Sequence, residues 1–324
     1  MTRSRLFLLS SVGVVAVGVL GGLAARGLDS ARPGLGPMPA AALALPSDAT
    51  FAMGLDVTRL VSSPIYERMV KSGSFKAGGL GDLEKATGLL PGRDITALVV
   101  AGTSGSDTAS LVFGRFDLAR LATALDAEGT TTKALKTMVR GIPVYSGINA
   151  TGKGGMALAL VDSGTLAIGS STRVEALLAA RAEKKEPFLA SGKIAEAVRS
   201  LTPGSTLWLV GDGNLTKNMS GGGMSMPLPQ LETLVMTGDF APELSLRLTG
   251  HAMDATAAKQ IADMARGFIA MATMQSAQKP ELQALASGLA VTSEGPTVSL
   301  KARIPYDVLD KLMPQPKAPA AATR

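Results

Sequence analysis

The pattern that most constrains this chain is strand, turn, strand, helix, and it is written twice. The first copy runs from Ile95 to Gly129 and the second begins at Leu234. In the first, Ile95 to Val100 is largely apolar on both alternating faces, which places that strand inside a sheet rather than at its border. Ser104-Gly105-Ser106-Asp107 supplies the turn, because glycine and short polar side chains accept the backbone angles of a tight hairpin. Asp117 then caps a helix whose Leu118, Leu121, Ala122 and Leu125 share one face, with Gly129 marking its end. In the second copy Ala241-Pro242-Glu243 takes the turn and Asp254 the cap, while Ala257, Ile261, Met264 and Phe268 rebuild the stripe. A helix with one apolar stripe has to lay it on a sheet. The expectation is an α+β fold of two tandem related modules, each a mostly antiparallel sheet with helices packed on one face, behind an N-terminal transmembrane helix.

The membrane segment is read from charge. Between Arg5 and Arg26 the run Leu6 to Ala25 carries no charged residue, and as a helix it would span about 30 Å, the thickness of a bilayer core. Arg3 and Arg5 ahead of it hold the N-terminus in the cytoplasm and send the rest across. Residues 1–28 are therefore a signal-anchor or signal peptide, with the anchor favoured because the uncharged run is long for a signal-peptide core. Residues 29–44, rich in Pro, Gly and Ala, form a linker. The first module occupies 45–200, the second 201–313, and 314–324 is a disordered tail. The opening of the second module, Leu201 to Leu207, echoes Leu45 to Phe51, and Asp212 falls where Asp56 did.

Composition excludes more than it suggests. Aromatic residues make up only 4% of the chain, so a surface that stacks bases is not expected. There is no cysteine, which removes disulfides, thiolate metal sites and cysteine nucleophiles. The net charge is +6, but Arg3, Arg5, Arg26 and Arg32 supply much of the excess, and Lys184-Lys185 sits beside Glu183 and Glu186 as a solvated helix end. No nucleic-acid partner is expected.

The chemical motifs are weak. Gly147 to Gly154 imitates a phosphate-binding loop, yet Gly154 stands where a hydroxyl should bind the metal, and Met156 to Val161 reads as a strand rather than the required helix. No nucleotide is expected. His251 is the only histidine, so no multi-histidine metal site can form, and no Gly-x-Ser-x-Gly elbow presents a serine to it. It reads as a surface residue at a strand end. Met219, Met224 and Met226 lie in a Gly-rich loop where thioethers could meet cuprous ion, without a repeating methionine motif to support that. Thr130-Thr131-Thr132-Lys133 and Ser72 to Lys76 do not place a serine for lysine-based hydrolysis. Asn149, Asn214 and Asn218 open glycosylation sequons that matter only in a glycosylating cell. No catalytic, cofactor-binding or metal residue is assigned, and no enzyme is expected. A convergence of polar groups around His251, Asp212 or Lys153 would reopen that question.

The uncharged N-terminal run, the opening Leu45-Pro46-Ser47-Asp48-Ala49-Thr50 and the lead-in Ala86 to Ile95 together make the chain resemble uncharacterised bacterial cell-envelope proteins with a signal-anchor and duplicated α+β modules. The resemblance implies a single-pass inner-membrane protein with its folded part in the periplasm, secreted if the anchor is cleaved. The expected function is that of a non-enzymatic scaffold or partner-binding unit with an unknown envelope protein as partner. The alternative is a carrier of a lipid or other hydrophobic ligand.

Overall fold

The computed structural model describes residues 48–71, 89–104, 107–132, 135–148, 156–182, 193–201, 204–213, 231–275 and 280–312. The expected membrane segment, linker and tail and the Met-rich loop lie outside the described residues. None of the described helices is long and apolar enough to cross a membrane.

The fold is mixed α+β, dominated by one antiparallel sheet. In chain order its strands are β1 (Phe51–Asp56), β2 (Ile95–Ser104), β3 (Asp107–Gly114), β4 (Leu135–Val139), β5 (Ile142–Ile148), β6 (Met156–Asp162), β7 (Thr165–Ser170), β8 (Leu207–Asp212), β9 (Leu231–Asp239), β10 (Leu244–Ala252), β11 (Leu289–Glu294) and β12 (Thr297–Ile304). The helices are α1 (Val57–Val61), α2 (Pro64–Lys71), α3 (Leu118–Thr132), α4 (Ser171–Ala182), α5 (Lys193–Ser200), α6 (Ala255–Gln275), α7 (Pro280–Ser287) and α8 (Tyr306–Leu312). The twelve described strands join in the order β11-β12-β10-β9-β8-β1-β2-β3-β7-β6-β5-β4.

Two expectations are corrected here. The halves do not hold separate sheets, because β1 pairs with β8 and closes them into one. At that seam Asp56 N–H donates to the Thr206 carbonyl at 2.7 Å, and Asp212 N–H donates to the Thr50 carbonyl at 2.9 Å. Nor do the helices keep to one face. On one face, Val57 and Leu60 of α1, Ile65 of α2, Leu121 of α3 and Tyr306 and Val308 of α8 pack on Met53, Val100, Leu158, Leu207 and Met236 in a core spanning both halves. Ala258, Ile261 and Ala262 of α6 extend it over Leu234 and Val298. On the opposite face, Val174, Leu177 and Leu178 of α4 and Ile194 and Val198 of α5 cover Ala101, Ala109, Leu111, Ala159, Ala167 and Val210. Strands β2, β3, β6 and β7 carry apolar residues on both sides because both sides are buried.

Local signals held where a side chain caps its own helix. Arg59 N–H donates to Asp56 Oδ1 at 2.9 Å, Arg120 N–H to Asp117 Oδ1 at 3.0 Å and Ala257 N–H to Asp254 Oδ1 at 2.8 Å. Elsewhere they shifted. Helix α3 continues past Gly129 to Thr132, since one glycine costs only about 1 kcal/mol inside a helix. Thr172 and Glu175 have the spacing of a capping box, but the backbone is already helical at Ser171 and it is Ser170 Oγ that accepts from Arg173 N–H, at 3.4 Å. Strand β4 had no reading in the sequence at all.

Ion pairs tie distant segments together. Arg68 of α2 donates to both carboxylate oxygens of Asp310 in α8, at 2.7 and 3.0 Å, and lies over the Tyr306 ring at 4.4 Å. The Tyr306 hydroxyl donates to the Phe240 carbonyl at 2.6 Å, and burial pushes its pKa up to about 12. On the other face Arg173 of α4 reaches Asp48 before β1 and Asp107 at the start of β3, each through two nitrogens. Its hydrogen bonds, joined by one from Thr103 at 2.7 Å, hold the Asp107 carboxyl down at about 2.

Candidate functional site

On the face of α4 and α5, α5 reaches β8 and β9, where Val210 and Val235 pack against its cluster, and no described helix covers β10, β12 and β11 beyond them. Alternation along each strand sends every second side chain to this open face. Strand β10 contributes Arg247, Thr249 and His251, with Ser245 buried at the strand's start, while Leu244, Leu246 and Leu248 point into the core. Register then assembles rows across four strands. Thr237 of β9, Arg247, Lys301 of β12 and Ala290 of β11 form one row, and Val235, Thr249, Ser299 and Thr292 form the next. Thr233, His251, Thr297 and Glu294 make a third, while Ser245 faces Arg303 at the far end.

The chemistry of the face is cationic and hydroxylic. Thr249 Oγ1 and Ser299 Oγ lie 3.4 Å apart, and Thr297 Oγ1 is 3.3 Å from His251 Nδ1. Arg247 and Lys301 stand directly opposite each other, an arrangement of like charges that destabilises a strand pair. Arg303 has Glu243 at 3.8 Å, at the outer limit of an ion pair. Where the face meets α5, Lys193 donates to Glu232 at 2.8 Å, and that hydrogen bond holds the Glu232 carboxyl below its ordinary range.

Two of the residues that might have converged lie on this face without touching. Asp212 of β8 has Thr233 as its neighbour and Thr233 has His251, so one strand separates the carboxylate from the imidazole. His251 is exposed on β10 rather than just beyond it. Lys153, Met219, Met224, Met226, Asn149, Asn214, Asn218 and the segment Ser72 to Lys76 lie outside the described residues. So does most of the phosphate-loop imitation, but its flanks β5 and β6 pair antiparallel, the hairpin geometry that its sequence context implies. No group of three or more His, Asp or Glu among the described residues could hold a metal ion. The open face went unread in the sequence, although its signal is there: Leu-Ser-Leu-Arg-Leu-Thr-Gly-His-Ala alternates at period two and exposes a polar half.

No protein-family model matches the chain, and no curated protein matches it. Solved structures do. The chain is similar in fold to TP0453. With that protein's crystal form I it has a TM-score of 0.51 at 12% identity, over 87% of this chain and 98% of that one. With crystal form III the TM-score is 0.51 at 14% identity, over 87% and 97% of the two chains. At such identity the likeness extends to the fold alone.

Proposed function

We propose that this chain is a non-enzymatic, membrane-anchored extracytoplasmic protein of the bacterial envelope that holds an acidic protein partner on the open face of β10, β12 and β11. The observation that carries the reading is Arg247 opposite Lys301 on a sheet face with no described helix over it. Two cations held side by side cost stability in the free protein, and a carboxylate docking between them relieves that cost. The surrounding threonine and serine hydroxyls can donate to the same partner. Residues 6–25 serve as the retained anchor and set the periplasmic location, as in the envelope proteins the sequence resembles. The modules are the products of a duplication. In support, β1-β2-β3-β7-β6 and β8-β9-β10-β12-β11 run outward from the seam in the same order, and Thr50 and Asp56 bond across it as Thr206 and Asp212 do. The carrier reading rests on composition alone.

A labelled oligoglutamate peptide tests the face. Full-length protein in detergent should bind it with an affinity that falls as salt rises. Replacing both Arg247→Glu and Lys301→Glu should weaken binding at least about tenfold, roughly 1.4 kcal/mol. Equal binding by that variant would remove the face from the proposal.

A further inference from the structure

The two borders of the sheet are finished differently. At β11 the closing pair is Glu294 with Thr297, so alternation turns the amide and carbonyl of Val291 outward, away from β12. Arg266 of α6 occupies that border, its Nη2 donating to the Val291 carbonyl at 3.1 Å. At β4 the hairpin turns through Arg140 and Gly141, both with positive φ, and closes on Val139 and Ile142. Thr137 and Leu135 therefore exchange hydrogen bonds with β5, while the amides and carbonyls of Lys136 and Met138 point outward. Among the described residues nothing bonds to those four groups.

Natural sheets protect such a border with charge, proline or cover. The one charge in β4 is spent elsewhere: Lys136 Nζ donates to both carboxylate oxygens of Asp126 in α3, at 3.0 and 2.8 Å, and sits 5.3 Å from the centre of the Tyr145 ring. Leu135 and Met138 are left 65% and 63% exposed.

We infer that β4 is a self-recognition strand, which pairs antiparallel with β4 of a second copy about a two-fold axis at Thr137 and joins two sheets into one. The strand is self-complementary at that register and matches its own hydrogen-bond phase. Leu135 meets the second copy's Val139, Lys136 meets its Met138, and Thr137 meets Thr137. No like charges are opposed, and a threonine pair is favourable across strands. The outward groups of Lys136 then bond to those of Met138, and Thr137 becomes a pair without mutual backbone bonds, as alternation demands. Shifting the axis to Lys136 would set that lysine against its own copy, and shifting it to Met138 would set Lys136 against Arg140, so both alternatives oppose like charges. A five-residue border buries less than the roughly 1,200 Å² of a stable interface, so the association is reversible and is best trapped covalently.

The absence of cysteine makes the trap clean. Opposed residues without mutual backbone bonds lie about 4.5 Å apart at Cα, within disulfide range. Full-length protein carrying Thr137→Cys, purified in detergent and oxidised, should run mainly as a disulfide dimer. The same protein with Thr292→Cys, on the exposed opposite border, should remain monomeric. Adding Met138→Pro to Thr137→Cys removes an outward amide that β5 does not use, and Met138→Lys sets a second lysine against Lys136. Each should abolish the dimer while leaving the circular-dichroism spectrum unchanged. A monomeric Thr137→Cys protein would overturn the inference and assign the border to another chain's segment. So would a dimer that survives both Met138 variants or forms equally from Thr292→Cys.

Discussion

The two halves of this sheet share a strand order and differ in what lies behind it. On the face opposite the large helical core, β2, β3, β6 and β7 present Ala101, Ala109, Leu111, Ala159 and Ala167, buried by α4 and α5. On the same face β10, β12 and β11 present Arg247, Thr249, Lys301, Ser299 and Thr292 to solvent. One backbone topology thus supports a sheet buried on both sides and one buried on a single side, and side-chain chemistry follows the cover. Small alanines let helices come close. Hydroxyls and cations keep the other half wet.

The sharpest way to break this comparison is to exchange chemistry between the halves. Ala167→Asp places an unpaired carboxylate where the side chain is wholly buried, and the expected outcome is loss of the folded state. Ser299→Asp, on the open face beside Lys301, should change the free energy of urea unfolding by no more than about 0.5 kcal/mol. Similar losses from both would show that the open face is covered.

A smaller effect is expected where the halves join. Trp208 of β8 lies across Gly54 of β1, and a Cβ on Gly54 would collide with its indole nitrogen, so the site requires glycine. Trp208→Ala should cost roughly 3–5 kcal/mol in urea unfolding, with a single transition if the shared core makes one cooperative unit. Two separated transitions would mean that the halves unfold independently.

The smallest effect concerns acid. The Asp107 carboxyl, held at about 2 by Arg173 and then Thr103, lies below its unfolded value near 3.9. Its contribution is therefore complete above about pH 4 and is lost as pH falls through about 2. Asp48, lowered chiefly by the same arginine, acts in the same direction. Both carboxylates are substantially exposed, which screens the pair and keeps the effect modest. Arg173→Leu should lower the thermal midpoint at pH 7 and flatten its fall between about pH 4 and pH 2. An unchanged acid limb would remove Arg173 as its cause.

How much of this was legible depended on the reach of each signal. Asp117 and Asp254 cap their helices from within three residues, and their side chains were readable as such. The hairpins of β6 with β7 and of β11 with β12 were legible from turn residues between apolar runs. Strand β4 was missed because Leu-Lys-Thr-Met-Val has no clean period and borders solvent on most sides. The open face was missed for another reason: Arg247 and Lys301 are distant in sequence, and only register makes them neighbours.

The sequence by itself determined the α+β class, most strands and the capped helices, because each follows from residues a few positions apart. Only the tertiary structure decided that β1 meets β8, that helices cover both faces of one half, and that cations gather on the other. Those outcomes turn on which of several apolar or polar surfaces meet. That choice is made by burial and hydrogen bonding summed over the whole chain, and no local window contains it.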